Sequence, residues 1–216
     1  MIMADEALAR LIAGNQRFST NVRDVSTLAS STHRGQPIAE QEPLAIILGC
    51  SDARVPAEII FDQGMGDLFV IRVAGNIVAP SLLGSVEFSV IKHHCRLVVV
   101  LGHTHCGAVQ ATVHELKQPS SNRSPNLLSI VNRIQPSVQT LLETEAGMDD
   151  DQLMKLAVRA NIRASVAHLQ HGSQILERYV SSEGLRIIGA EYSLETGVVE
   201  FFHEEGQGAL SAGIEH

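Results

Sequence analysis

Hydrophobic positions follow two kinds of pattern along the chain. Short apolar runs rich in β-branched residues predict buried strands at 44–49, 67–75 and 96–102. Elsewhere apolar residues recur every three or four positions, which predicts helices at 3–18, 81–94, 107–117, 127–145 and 151–180, the last broken near Gly172. Strands that alternate with helices are typical of an α/β fold, in which a mainly parallel central sheet is flanked by helices.

The C-terminal part of the chain departs from this alternation. Two apolar runs at 184–192 and 198–202 are joined by the short turn 195–197, which predicts antiparallel strands at the sheet edge. Residues 203–216 are interpreted as a C-terminal tail. We expect residues 206–216 to be frayed.

The N-terminal part also differs from the centre. Residues 1–40 combine one amphipathic helix with a polar, turn-rich stretch. We interpret them as a helical arm, because the apolar face of that helix has no obvious place in a single compact core. The expected organisation is one domain over 1–216, with its α/β core at 41–202.

Composition excludes several classes of partner. The 216 residues include 16 Lys and Arg against 24 Asp and Glu, a formal net charge of −8, and no basic stripe interrupts the acidic balance. We therefore expect neither nucleic acid nor an anionic membrane as a partner. No run approaches the roughly 20 apolar residues that cross a bilayer, and the N-terminus lacks the apolar core of a secretory signal. Three cysteines cannot pair without a remainder, which favours a reducing, cytoplasmic setting for a soluble protein.

Metal-binding residue types follow two of the predicted strands. Cys50 comes directly after the run 44–49, and His103 and Cys106 come after the run 96–102. Because the carboxyl ends of parallel strands meet at one edge of a sheet, we expect these three side chains to lie close together. Two thiolates and an imidazole favour zinc over magnesium or calcium. Three protein ligands leave the fourth coordination position open for chemistry.

Residues near these ligands leave alternatives open. Asp52 and Arg54 follow Cys50 closely, and a carboxylate at that place can act in catalysis or complete a sealed structural zinc site as its fourth ligand. His105 lies between two ligands and is either a bystander or a proton shuttle. Cys95 is expected to be a small core residue.

These motifs resemble the β-class carbonic anhydrases. The segments that carry the resemblance are CSDARVPAE (50–58), GDLFVIRVAGN (66–76), GSVEF (84–88), GHTHCGA (102–108) and, more weakly, NIRASV (161–166) and the final strands. The resemblance implies that Cys50, His103 and Cys106 bind one Zn²⁺ per subunit, with Asp52 and Arg54 as a catalytic dyad. It also implies the reversible hydration of carbon dioxide to bicarbonate and a proton by zinc-bound hydroxide.

Physical chemistry agrees with the roles that the resemblance implies. Zinc lowers the pKa of a bound water from 15.7 to about 7, which makes hydroxide available at neutral pH. Asp52 is expected to accept a hydrogen bond from this hydroxide and to orient it. Arg54 is expected to pair with Asp52 and keep it ionised and away from the metal. In the closed arrangement that the family also shows, Asp52 would bind the zinc itself.

The resemblance also implies a substrate pocket. Gln41 is similar to the family glutamine that hydrogen-bonds substrate from the neighbouring subunit. Phe69, Ala74, Phe88 and Gly107 are expected to line the pocket. Phe88 stands where many relatives have tyrosine, so we expect the missing hydroxyl to affect the rate or the range of substrates.

One further comparison concerns regulation. Family members that are gated by a non-catalytic bicarbonate carry a tryptophan three residues before the first cysteine, together with an arginine and a tyrosine. Here Ile47 occupies the tryptophan position and the chain has no tryptophan, although Arg72 and Tyr192 match. We therefore expect the ungated form with an open zinc.

Quaternary structure and two alternative functions complete the predictions. The resemblance implies a homodimer or homotetramer whose active sites lie at the dimer interface. A carbonyl sulfide or carbon disulfide hydrolase on the same scaffold is one alternative to the hydratase. The other, from a different class, is a zinc-stabilised binding or redox-sensing protein in which Cys50 and Cys106 oxidise and release the metal.

Overall fold

Strands and helices alternate along the described chain. The computed structural model describes residues 2–22, 41–119, 124–144 and 147–202. Its strands are β1 (Ala45–Gly49), β2 (Leu68–Arg72), β3 (Leu97–His103), β4 (Arg186–Tyr192) and β5 (Val199–Phe201). Its helices are α1 (Ala4–Ser19), α2 (Ala57–Ile60), α3 (Pro80–Lys92), α4 (Gly107–Lys117), α5 (Pro125–Thr144), α6 (Asp150–His171) and α7 (Gln174–Ser182), with a 3₁₀ turn at Ala74–Asn76.

The five strands form one sheet in the order β2-β1-β3-β4-β5. The first four run parallel, and β5 pairs antiparallel to β4 at the edge. This confirms the predicted mainly parallel α/β fold. The prediction of antiparallel strands at the edge holds for β5 alone among the described strands. β4 is an inner strand and runs parallel to β3.

Side chains of the sheet supply two hydrophobic clusters, one on each face. Along β1 the side chains alternate, as strand geometry requires, so that Ile46 and Leu48 join one cluster and Ala45 and Ile47 join the other. The first cluster includes apolar residues of α3, α4, α5, α6 and α7, and the second includes those of α1 and α2. Both faces are therefore covered, and all five β1 residues are buried.

The N-terminal helix belongs to the core of its own chain. Ala7 and Leu11 are fully buried in the second cluster, and a Cβ at Gly14 would clash with the Phe61 carbonyl, so α1 contacts α2 directly. Asn15 donates to the Gly197 carbonyl at 2.9 Å and accepts from the Val199 amide at 2.8 Å. The expectation that this helix has no place in the compact domain is wrong, because its apolar side packs on the face of the sheet opposite the large helices.

The long C-terminal helical pattern breaks where the sequence predicted. α6 ends at His171, Gly172 follows as its C-cap, and α7 begins after Ser173, whose hydroxyl accepts from the Leu176 amide at 3.2 Å. A search of the described helices found none that combines the length and the apolar character required to cross a membrane.

Candidate metal centre and active site

Two loops at one edge of the sheet form the site. The first follows β1 and begins with Cys50, and the second runs from His103 at the end of β3 to Cys106 at the start of α4. β1 and β3 are parallel neighbours with Gly49 opposite Leu101, so their carboxyl ends lie side by side. The sheet therefore brings together ligands that are more than fifty residues apart in sequence.

The three predicted ligands meet in a buried cluster. The Sγ atoms of Cys50 and Cys106 and a ring nitrogen of His103 lie within 4.8 Å of one another, and all three residues are buried. His103 is fully inaccessible to solvent, and its Nε2 has no hydrogen-bond partner. Its Nδ1 lies 2.8 Å from the Thr104 carbonyl, which can only accept, so the proton sits on Nδ1 and the Nε2 lone pair is free.

This cluster fits a bound metal ion. A buried, unpartnered imidazole nitrogen beside two cysteine sulfurs would be costly without a partner. Two sulfurs and one nitrogen form the soft and borderline donor set that zinc prefers. The hydrogen bond at Nδ1 orients the ring in the way that outer partners of metal-binding histidines do.

The two thiols differ in acidity. A hydrogen bond from the Cys106 thiol holds the pKa of Cys50 well below its ordinary value, against the effect of burial. The same interaction, with burial, raises the pKa of Cys106 far above its ordinary value. Cys50 is therefore the more acidic of the two thiols, and a bound cation would favour the ionised form of both.

A tight turn also supports the Cys50 sulfur. The Gly75 amide donates to Cys50 Sγ at 3.4 Å. Gly75 has φ +71°, and a Cβ there would lie 2.8 Å from Ile134 Cδ1, so only glycine fits. Two side chains of α6 hold this turn. The side-chain amide of Asn161 donates to the Gly75 carbonyl at 2.8 Å, and the Ser165 hydroxyl donates to the Asn76 carbonyl at 3.0 Å.

Asp52 and Arg54 form a two-point ion pair at the rim of the cluster. Arg54 Nε donates to Asp52 Oδ1 at 3.0 Å and its Nη2 donates to Oδ2 at 2.8 Å, while the Arg54 backbone amide also donates to Oδ1 at 2.9 Å. The hydrogen bonds from Arg54 hold the pKa of the Asp52 carboxyl well below its usual range. Asp52 Oδ2 lies 4.0 Å from His103 Nε2, so an ionised carboxylate stands directly beside the ligand cluster.

Arg72 supports the first loop from the neighbouring strand. From the end of β2 its Nε donates to the Cys50 carbonyl at 2.9 Å and its Nη2 donates to the Asp52 carbonyl at 2.5 Å. Its guanidinium thus fixes the backbone of the first loop. Ile47 and Tyr192, the other positions compared with the gated relatives, are buried in the cluster that α1 covers.

The predicted pocket residues lie in different surroundings. Ala74 begins the turn that supports Cys50, and Gly107 is exposed at the start of α4. The Phe69 and Phe88 ring centroids are 6.3 Å apart, and Phe88 is 53% exposed. Gln41 is exposed and lines a small cavity with residues 92–95, away from the three ligands of its own chain.

His105 and Glu195 form a second polar group beside the ligands. His105 Nε2 lies 2.7 Å from Glu195 Oε1, and the Thr104 hydroxyl donates to Glu195 Oε2 at 3.0 Å. Sequence reasoning missed Glu195, since it lies about ninety residues beyond the loop that it contacts. The predicted turn at 195–197 marked its place, and only the pairing of β3 with β4 showed what it faces.

Comparison with known proteins gives a consistent result. The family model described as carbonic anhydrase matches residues 45–199. Carbonic anhydrase 2 of Mycobacterium tuberculosis (strain ATCC 25618 / H37Rv) is 36% identical over 184 residues, which cover 85% of this chain and 86% of that protein. A carbonic anhydrase of Mycolicibacterium smegmatis is 39% identical over 187 residues, which cover 87% of each chain.

Solved structures show the same fold. The β-carbonic anhydrase CcaA superposes with a TM-score of 0.72 at 25% identity, covering 91% of this chain and 92% of that one. A structure reported among two tetrameric β-carbonic anhydrases of Sordaria macrospora superposes with a TM-score of 0.67 at 22% identity, covering 75% of this chain and 81% of that one, and shows the fold alone. With the family match over residues 45–199, these findings establish that the chain belongs to the β-class carbonic anhydrase family.

Proposed function

We propose that this chain catalyses the zinc-dependent, reversible hydration of carbon dioxide to bicarbonate and a proton. One observation carries the proposal: a buried cluster of two sulfurs and one free imidazole nitrogen stands 4.0 Å from an ionised, arginine-paired carboxylate. Cys50, His103 and Cys106 would hold one Zn²⁺ per chain. When bound, the ion would supply hydroxide near neutral pH by lowering the pKa of a water molecule.

Asp52 and Arg54 would supply orientation and charge. The Asp52 carboxylate stays ionised beside Arg54 and so remains a hydrogen-bond acceptor at the mouth of the cluster. A nucleophile that donates to it would be held with its lone pair directed at the carbon of the substrate. Both carboxylate oxygens are engaged by Arg54, which supports an open site in which Asp52 stays off the metal.

Apolar residues of this chain and a second copy of the chain would complete the substrate pocket. Phe69, Ala74, Phe88 and Gly107 are proposed to surround a small linear substrate. Gln41 is exposed and does not face the ligands of its own chain, which supports its proposed role in the active site of a neighbouring subunit. A homodimer or homotetramer with active sites at the dimer interface is therefore part of the proposal.

Stopped-flow hydration of carbon dioxide tests this function directly. Protein of measured zinc content is assayed near pH 7 and near pH 9, and turnover is expected at both if the site is open. Turnover only at the higher pH would show that Asp52 closes the site at the lower one. No hydration at either pH by fully loaded protein would reject the proposal.

The same preparation separates the two alternatives. Release of hydrogen sulfide from carbonyl sulfide without carbon dioxide hydration would favour the hydrolase. Loss of zinc on mild peroxide treatment, without either activity, would favour a redox sensor based on Cys50 and Cys106.

A further inference from the structure

The short connection between two of the ligands has an unfavourable backbone conformation. Only Thr104 and His105 separate His103 from Cys106, and the chain must turn there from the end of β3 into α4. His105 has φ +54°, in the left-handed region that is unfavourable for a residue with a side chain. Interactions outside the loop must therefore favour this conformation over an extended one.

Glu195 supplies such interactions with a single carboxylate. Its Oε2 accepts hydrogen bonds from the Thr104 and Ser193 hydroxyls, both at 3.0 Å, and its Oε1 lies 2.7 Å from His105 Nε2. Both residues between the ligands are thus held by one side chain. The backbone amide of Glu195 and the Thr104 hydroxyl keep the pKa of this carboxyl low, at about 2, so it is an acceptor at every pH of interest.

The turn that carries Glu195 is itself well anchored. The Thr196 amide donates to the Ser193 hydroxyl at 3.1 Å, and the Gly197 amide donates to the Ser193 carbonyl at 2.9 Å. Two further bonds join the turn to the ligand loop, from the Thr104 amide to the Tyr192 carbonyl and from the Leu194 amide to the Thr104 hydroxyl, both at 3.0 Å. Glu195 therefore acts from a support that does not depend on a metal.

We propose that Glu195 is a positioning residue of the metal centre, whose carboxylate holds Thr104 and His105 so that His103 and Cys106 are presented together to the ion. The proposal rests on the proposed function only in taking Cys50, His103 and Cys106 as the zinc ligands. It requires no contact between Glu195 and the substrate. Its effect should appear first in metal affinity, and in turnover only as far as the ligand geometry changes.

Zinc affinity measured by competition with a chromophoric chelator tests the proposal. Glu195→Ala should bind Zn²⁺ roughly 10-fold or more weakly than the unaltered chain, the size of effect that loss of an outer partner of a metal ligand has elsewhere. Thr196→Ala is the matched control. It removes a hydrogen bond of the same turn, from the Val198 amide at 3.3 Å, and leaves the contacts of Glu195 with the loop in place.

The unfolding free energy of the metal-free variants is measured alongside. If Glu195→Ala binds zinc within about twofold of the unaltered chain, or if Thr196→Ala weakens binding equally, the proposal is overturned. The visible spectrum of the Co²⁺-loaded protein gives a second readout, because it reports the arrangement of thiolate and imidazole ligands. It should change in Glu195→Ala and stay the same in Thr196→Ala.

Thr104 provides a conservative rescue. Thr104→Val removes the hydroxyl while keeping the shape and should weaken zinc binding, and Thr104→Ser should restore it. The double variant Thr104→Val with Glu195→Ala should lose less zinc affinity than the two single losses multiplied together, since the two changes share the hydrogen bond between Thr104 and Glu195. Fully additive losses would contradict the proposal. None of these readouts depends on hydration, so a loaded protein that hydrates no carbon dioxide would reject the function and leave this inference standing.

Discussion

The two ligand loops are held in different ways. The loop after β1 is held by Arg72 and Gly75, which lie only 20–25 residues further along the chain, at the end of the neighbouring strand β2 and in the turn after it. The loop after β3 is held by Glu195, about ninety residues away on the turn after β4. The first loop thus has its support and its proposed catalytic pair within one stretch of sequence, while the second depends on the assembled sheet.

This difference has a chemical counterpart. The first loop presents charge to the mouth of the site, through the Asp52–Arg54 pair. The second presents two buried proposed ligands, and the carboxylate that bonds to Thr104 and His105 is that of Glu195, on the outer side. Catalytic orientation should therefore be more sensitive to changes in the first loop, and metal retention to changes in the second.

Removing a ligand from the second loop should have the largest effect. Cys106→Ser is expected to weaken zinc binding by more than the roughly 100-fold that loss of an outer partner costs, and to abolish hydration, because only two strong donors remain. Zinc content after dialysis and stopped-flow hydration measure both effects. Cys95→Ala is the control, since this buried thiol donates to the Leu97 carbonyl and lies outside the cluster of proposed ligands, so the variant should keep about one zinc per chain. Full zinc retention by Cys106→Ser would remove this residue from the ligand set.

Changing the proposed catalytic carboxylate should lower turnover without loss of zinc, which distinguishes the role of the first loop from that of the second. Asp52→Asn is expected to keep its zinc and to lose roughly 100-fold in kcat, because the neutral amide is a weaker acceptor and a poorer partner for Arg54. Asp150→Asn, at an exposed ion pair with Lys117, is the matched control and should leave kcat unchanged. An unchanged kcat in Asp52→Asn would remove the dyad from the mechanism.

Filling the space at Gly75 should destabilise the support of the first loop. Gly75→Ala is expected to lower the free energy of unfolding by about 2–4 kcal/mol, because φ is +71° and the new Cβ would meet Ile134. Gly84→Ala in α3 has open space around it and should stabilise the protein by up to about 1 kcal/mol. Chemical denaturation of the metal-free variants measures both values. If Gly75→Ala were as stable as the unaltered chain, the turn would be able to relax around a side chain.

Removing the guanidinium of Arg72 should have the smallest effect of the four. Arg72→Gln loses the bonds to the Cys50 and Asp52 carbonyls, and zinc affinity should fall roughly 10-fold as the first loop loosens. Arg10→Gln, which breaks an exposed pair with Glu6 on α1, should change nothing measurable. A loss for Arg72→Gln much greater than for Glu195→Ala would show that the first loop, and not the second, controls metal retention.

Much of the architecture was predictable from local pattern. Continuous apolar runs, helical spacing between them and the glycine at 172 predicted the strands, most helices and the break between α6 and α7. The cluster of proposed ligands was predictable because parallel strands place their carboxyl ends together. The pairing of Asp52 with Arg54 was predictable because the two residues are two positions apart and match the family motif. The position of α1 was not, since an amphipathic face shows that a helix must be covered and does not show what covers it.

The sequence by itself determined which elements form, which edge of the sheet carries the chemistry and which donor atoms are available there. The tertiary structure alone decided what holds those donors in place. Hydrophobic period and ligand type are properties of neighbouring residues, so they can be read along the chain. The partners of Thr104, His105 and the Gly75 turn are hydrogen-bonding groups from β4–β5 and α6, and a hydrogen bond exists only once packing has brought both groups within about 3 Å.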